Sequence, residues 1–496
     1  VVQARFLVDW DFDGTYTDES AHLISASGDM RLTPVGAGLA TAQGIIAQAV
    51  ITLRNASGRF SPLRTDGALY AVIGNGKAYH APCRLEVSVN GGTNFYRVFT
   101  GVLKYPEERT ASPIEGPTVR FEARGIEEKY LQRRVSTGQA ALAANYEAGA
   151  TEADVLASFL SAAGVPGVLS GQLVLDSGMF SIPWAWLDDE SVIEECWQLA
   201  AACGGRFYAD NDGILRYENM QRWQTATRST TAQLALTRDN MENFVLRVED
   251  SDLYNVVTVE ASPRAVSGLE VIWEPDALPV LQPGETQTLS ARFDAPAQRI
   301  VGLTYEAIDD GGNARTSDVS VAATYYAQRA DLVFVNAGAL RVRLYPLRIV
   351  GVPVVGGPEI EERVNSTSNG SNAAFFVNRG DRTLSIRSNL YLQTRTHARS
   401  LAQFLLDRCE MPRLTAHAYG VIGQPQLQLG DRVTVADAPT VTGAFAGYTT
   451  AIDWSFGARG FDQELTLVET SQMFAHDNNY FRVGVDAMGS TRKVFY

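Results

Sequence analysis

The sequence predicts a mainly β protein with one α/β segment, and three patterns carry that expectation. Short alternating runs separated by Gly and Asn turns fill residues 1 to about 135. Helical spacing then takes over from about 136 to 250, and alternation returns from about 260 onward, interrupted by one further helix. The 43 glycines suit a chain with many turns. At 496 residues it is too long for one core, so three or four domains are expected. Hydrophobic content of 45% and a mean hydropathy near zero describe an ordinary soluble globular chain.

In the first region, Arg5–Trp10, Val50–Arg54, Cys83–Val89, Tyr96–Leu103 and Thr118–Ala123 read as strands, with Asn90-Gly91-Gly92 as a turn. Such spacing suits a barrel or a sandwich. In the second strand Ile51 and Leu53 face one side, and Val50, Thr52 and Arg54 the other. Asn55, Ser57 and Gly58 then break it, since Asn and Gly tolerate the left-handed backbone of a tight turn. Phe60 and Leu63 are expected to return to the core, and Pro62 to forbid a central strand. The run Asp9-Trp10-Asp11-Phe12-Asp13-Gly14 begins like a calcium loop, but position twelve is Ser20 and Glu19 comes one place early. A hairpin turn is the favoured reading; a cation held by Asp9, Asp11 and Asp13 is the alternative.

From about 136, Thr151 and Asp154 make a capping-box variant. Val155, Phe159 and Ala162 recur at helical spacing until Gly164. A second helix follows Asp188-Asp189, with Val192, Cys196, Leu199, Ala200 and Cys203 on one face and Gly204-Gly205 ending it. Then comes a hairpin, Arg206–Ala209 and Ile214–Tyr217, whose Asp210-Asn211-Asp212-Gly213 tip is a strong turn signal. Pro183-Trp184-Ala185-Trp186 could form an aromatic platform, although core packing is the favoured use.

Residues 261–390 read as an inserted β-sandwich, with turns at Pro283-Gly284 and Asp309–Asn313, a clean alternating strand at Leu340–Tyr345 and a polar loop at Asn365–Asn372. Spacer or interface is favoured over carbohydrate binding, because no compact cluster of aromatics and acids marks a sugar site. A third helix has Thr394 or Thr396 as cap and Ala398, Leu401, Ala402, Leu405, Leu406 and Cys409 as its stripe, and Met411-Pro412 ends it. Strands at 432–435, 452–456 and 464–467 close the pattern, with Gly430-Asp431 as the turn before the first.

Chemistry has no anchor here. His22, His80, His397, His417 and His476 lie at no metal spacing, and there is no GxSxG elbow. Gly74–Lys77 lacks the first glycine of a P-loop, and Gly36-Ala37-Gly38 lacks the third of a dinucleotide fingerprint. No catalytic residue, cofactor or metal is therefore assigned, and the protein is not expected to be an enzyme. Cys83, Cys196, Cys203 and Cys409 form no CxxC pair and no disulfide framework, which fits synthesis in a reducing cytosol. The first thirty residues, with Asp9, Asp11, Asp13, Asp18 and Glu19, do not read as a signal peptide, and no run reaches the roughly 20 apolar residues of a membrane helix. A net charge of −14 opposes a nucleic-acid groove but not a channel through which DNA slides without sticking.

Several strings resemble the signatures of bacteriophage tail hub proteins. Leu53-Arg54-Asn55-Ala56-Ser57-Gly58-Arg59-Phe60-Ser61-Pro62-Leu63 matches "LxNxxGRFSPL", and Phe99–Leu103 matches the following "FTGxI" strand. Ser191–Gly205 resembles "SxxExxxxLAxxxGG", Asp210–Tyr217 "DxDGxLxY", Leu253–Val259 "LYNxVxV" and Leu429–Val435 "LGDxVxV", in the family's order. Asn55, Gly58, Phe60, Pro62, Gly430 and Asp431 are the structural turn residues singled out. The resemblance implies two β-barrel domains, 1–135 and 413–470. Between them would lie a helix-containing middle domain 136–260, the insert 261–390 and a connecting helix 391–412, with an extension 471–496 reaching a neighbour. It further implies a homotrimer at the tail tip or baseplate of a virion, assembled in the bacterial cytoplasm. Its partners would be the distal tail tube protein, the tape measure protein and a central spike or fibres, with DNA only in transit. A receptor- or polysaccharide-binding tail protein using the insert is the alternative.

Overall fold

Alternation in the chain becomes alternation in burial. Along Gln48–Arg54 the odd residues Ala49, Ile51 and Leu53 are buried while their neighbours face out. In a computed structural model, residues 2–32, 46–67, 69–70, 80–112, 116–131, 133–138, 150–167, 170–249, 253–366, 380–410, 413–436 and 445–470 are described. Gly36–Gly38, Gly74–Lys77, most of the 365–372 loop, Met411-Pro412, His476 and the extension from 471 lie outside them.

The first region contains β1 (Gln3–Val8), β2 (Thr17–Asp18), β3 (Leu23–Arg31), β4 (Gln48–Arg54), β5 (Pro82–Ser88), β6 (Tyr96–Ser112) and β7 (Gly116–Gly125), then a single helical turn, α1 (Glu128–Leu131). The middle holds α2 (Glu152–Ala162), β8 (Leu173–Leu175), α3 (Val192–Ala202), β9 (Arg206–Ala209) and β10 (Leu215–Glu218). Next come β11 (Ala232–Leu236), β12 (Asn243–Glu249) and β13 (Val256–Ala261). The insert carries β14 (Arg264–Val266), β15 (Glu270–Trp273), β16 (Val280–Leu281), β17 (Thr286–Arg292), β18 (Ala297–Asp309), β19 (Val319–Tyr325), β20 (Arg329–Asn336) and β21 (Val342–Gly356). The chain continues through β22 (Ile360–Asn365), β23 (Thr383–Ile386), α4 (Arg395–Cys409), β24 (Arg413–Ile422), β25 (Arg432–Val435), β26 (Phe445–Gly457) and β27 (Gly460–Glu469).

Thirteen strands, eleven of them from the two ends of the chain, form one sheet, ordered β12-β24-β27-β26-β3-β4-β7-β6-β5-β1-β2, with β25 and β11 attached beyond β26. The chain is mainly β with helices in its middle, as expected, and no closed barrel is detected among the described residues. The reason lies at β3. Its edge away from β4 is taken by β26, in register from Ala451↔Arg31 to Phe456↔Ala26, so each half lends an edge to the other. Gly28 permits this seam, because a Cβ there would fall 2.5 Å from both the Trp454 ring and the Gln48 carbonyl oxygen.

The second half-sheet also recruits strands from before the insert: β11 pairs with β25, and β12 with β24. In the middle segment the Thr151 cap closes a full capping box with Asp154. Leu156 and Leu160 join Val155 and Phe159 in the core, whereas Ala162 faces solvent. The predicted α3 stripe is buried throughout. Thr394, not Thr396, caps α4, which packs on β13 and β22. The insert has its own core, built by Leu281, Phe293, Leu332, Phe334, Leu344, Ile349 and their neighbours from a five-stranded and a three-stranded sheet. Its strands run from Arg264 to Gly356, while β22 and β23 pair with β13 outside it.

Candidate functional site

The Asn55 turn is tied on every side. Asn55 N donates to the Pro117 carbonyl (2.8 Å), and its own carbonyl accepts from Gly58 N (2.9 Å). Its side chain accepts from Phe60 N (2.9 Å) and donates to Glu108 (3.0 Å). Gly58 holds φ +70°, the left-handed conformation expected of it. Phe60 is fully buried among Trp10, Phe121 and His22. Arg59, quoted only as one letter of its string, forks onto the buried Glu19 carboxylate at 2.6–3.1 Å, and Trp10 Nε1 donates to the same group. Pro62 begins successive tight turns, Arg64 N to Ser61 O and Gly67 N to Arg64 O. These turns throw Leu63 outward to 87% exposure, against the expectation that it returns to the core.

The Asp9 run is the turn of the β1–β2 hairpin, paired at Leu7↔Asp18 and Val8↔Thr17. Asp9 accepts from Asp13 N and Gly14 N, and Asp13 from Thr15 N. Among the described residues no group of three His, Cys, Asp or Glu side chains is placed to hold a metal ion.

Gly430, at φ +81°, donates its amide to Thr449 O (2.8 Å); a Cβ there would meet Trp223 Nε1 at 2.8 Å. Asp431 is buried and accepts from both arms of Arg228 and from Gln428 N. Burial holds its carboxyl above the usual range despite the guanidinium. The turn thus fastens the short helical segment 222–230 to the second half-sheet, aided by Ser229 Oγ on the Gly430 carbonyl (2.8 Å).

Between the halves sits the tip of the β9–β10 hairpin. Asp210 braces it by accepting from Asp212 N and Ile214 N, and Gly213 holds φ +77°. Thr100 Oγ1 on β6 donates to the Asn211 carbonyl (2.7 Å), and Asn211 Nδ2 donates to the Leu427 carbonyl (3.1 Å). A Cβ on Gly213 would strike Thr100 at 2.6 Å, and one on Gly101 would lie 2.0 Å from the Arg124 carbonyl. Two of the quoted strings therefore meet at one joint, and Leu427, just before a third, completes it. The histidines and cysteines do other work. His397 is buried against Phe180, bonds Ala202 O through Nε2, and is pushed down to about 4 by burial. All four cysteines are buried. Trp184 is buried and Trp186 donates to Gln328 of the insert, so the aromatic pair packs rather than forming an open platform.

No protein-family profile matches the chain, and no curated protein matches its sequence. Among solved structures it is similar to the tail protein of Neisseria meningitidis MC58 at 11% identity, covering 95% of this chain and 98% of that one with a TM-score of 0.48. The 43 kDa tail protein of prophage MuSo2 from Shewanella oneidensis gives 12% identity, 95% and 98% coverage and a TM-score of 0.46. The Escherichia coli c3393 protein, a component of the type VI secretion system with structural similarity to T4 bacteriophage tail proteins gp27 and gp5, gives 10%, 91% and 74%, and 0.38. These three solved structures, each resembled over more than 90% of this chain, are described as two tail proteins and a component of the type VI secretion system.

Proposed function

We propose that the protein is a structural, non-catalytic component of a phage virion: the trimeric hub at the distal end of the tail. It would adapt the sixfold tail tube to a threefold tip and close or line the DNA channel, meeting the tail tube, tape measure and spike or fibre proteins. The observation that carries this reading is the meeting of two hub-like strings, residues 99–103 and 210–217, at Asn211, which also bonds Leu427 just before a third string at 429–435. Strings so far apart in sequence have reason to occur together if the joint they build is what the protein is for. Binding energy in such a part comes from extended subunit interfaces rather than a pocket.

The test is the mass in solution, by light scattering across a concentration series. A species near three times 53.9 kDa supports the hub. A single-subunit mass at every concentration, unchanged by added tail tube protein, overturns it. Binding of the full chain on a glycan array would move the assignment to receptor recognition by the insert.

A further inference from the structure

Glu127 lies between β7 and α1 with no solvent exposure. One carboxyl oxygen, Oε1, accepts from Ala209 N at the end of β9 (2.5 Å). The other, Oε2, is buried without a hydrogen-bond partner, in a space kept open by Gly125, where a Cβ would lie 2.4 Å from it. Among the described residues no cation forms an ion pair with this group. The charges that act on it are negative: Asp210 from the hairpin, itself bound to Arg216, and Glu128 from α1, itself bound to Lys104 with His80 beside them. The hairpin also presents Tyr208, Arg206 and Glu218, which bond or pair with one another. α3, packed on α1, carries buried Glu195 and Cys196, with buried Cys203 at its C-terminal cap.

A dehydrated carboxylate held only by backbone amides, Ala209's and its own, with no counter-ion and two acidic neighbours, cannot hold a charge without penalty. A proton on Oε2 removes that penalty and leaves Oε1 free to accept from Ala209. We propose that Glu127 is a proton-held latch that fastens the β9–β10 hairpin to the first half-sheet, gripping at low pH and loosening as the pH rises. The hairpin is the element whose tip joins the two half-sheets, so the latch governs how firmly that joint is held. Burial pushes this carboxyl up to about 7. Its proton is therefore kept in the closed state and lost in the open one between about pH 4.5 and 7.

The experiment is hydrogen exchange of the full-length protein from pH 5 to 8, corrected for intrinsic rates, with α4 peptides as internal control. Opening of the 206–218 segment is expected to rise roughly fifty- to a hundredfold over that range and to flatten above pH 7. In Glu127→Gln the rise should be at least tenfold smaller. A flat wild-type profile, or an equal rise in the variant, overturns the latch. Should Glu127→Gln fail to fold, Glu128→Gln removes one negative neighbour and frees Lys104, so the wild-type midpoint should move to lower pH; an unmoved midpoint also overturns it.

Discussion

Asn211 accepts from Thr100 Oγ1 at 2.7 Å with its backbone carbonyl while its side chain donates to Leu427 O at 3.1 Å, so one hairpin residue holds both half-sheets. Asn211 is buried, and water cannot readily replace either bond. Asn211→Ala should cost about 1–2 kcal/mol by stripping the donor from Leu427, and Thr100→Val about 1 kcal/mol. Urea midpoints at unchanged slope would measure both. An Asn211→Ala midpoint equal to wild type would remove this residue from the joint.

Arg59 and Glu19 make the second fastening. The carboxylate is buried and the guanidinium is partly exposed, so removing the cation strands a charge while part of the loss is screened. Arg59→Ala should destabilise by roughly 2–3 kcal/mol. Arg59→Lys should recover little of it, because an ammonium cannot reproduce the fork on both oxygens. Full rescue by lysine in thermal melts would show that charge alone, without the fork, is what matters.

Two glycines of the quoted strings should respond differently. At Gly58 the constraint is φ +70°, with only the flexible Arg64 side chain near a new Cβ, so Gly58→Ala should cost about 1–2 kcal/mol. Valine there should do more, since a β-branched residue rarely holds positive φ. At Gly101 a Cβ meets the Arg124 backbone at 2.0 Å, and strands β6 and β7 must part to admit it. Gly101→Ala should therefore be the more damaging alanine, seen as lost soluble yield. The reverse order would put the strain at the turn instead.

What the sequence made legible is what neighbours in the chain decide. The alternation of Ala49, Ile51 and Leu53, the Thr151–Asp154 box and the Asp-Gly hairpin tip each have their cause within a few residues, and each forms as read. The ties that define the site are not local. Arg59 to Glu19 spans 40 residues and Arg228 to Asp431 spans 203. The β3–β26 seam joins residues more than 400 apart, for which alternation fixes the face but no local signal fixes the partner. Leu63 fails for the related reason that apolarity records a preference for burial, not the direction a run of turns will point.

Stability should fall as the solution turns from mildly acidic to alkaline, because two buried carboxyls outweigh one buried imidazole of opposite sign. Burial pushes Glu195, which accepts from Tyr391 and Gln198, up to about 7, as it does Glu127. Such a carboxyl favours the folded state fully below its unfolded value near 4.3, and the benefit is lost as pH rises through 7. Each loss is worth about 4 kcal/mol. His397 has the opposite sign: held down at about 4, it favours folding fully above its unfolded value near 6.5 and loses that as pH falls. Two carboxyls outweigh one imidazole, so these groups lower stability as pH rises from about 5 to 8. Melts at pH 5.5 and 8 should give the higher Tm at 5.5, and Glu195→Gln should raise the Tm at pH 8 more than at pH 5.5. A Tm that climbs from pH 5.5 to 8 would mean that both carboxyls are charged in the folded protein.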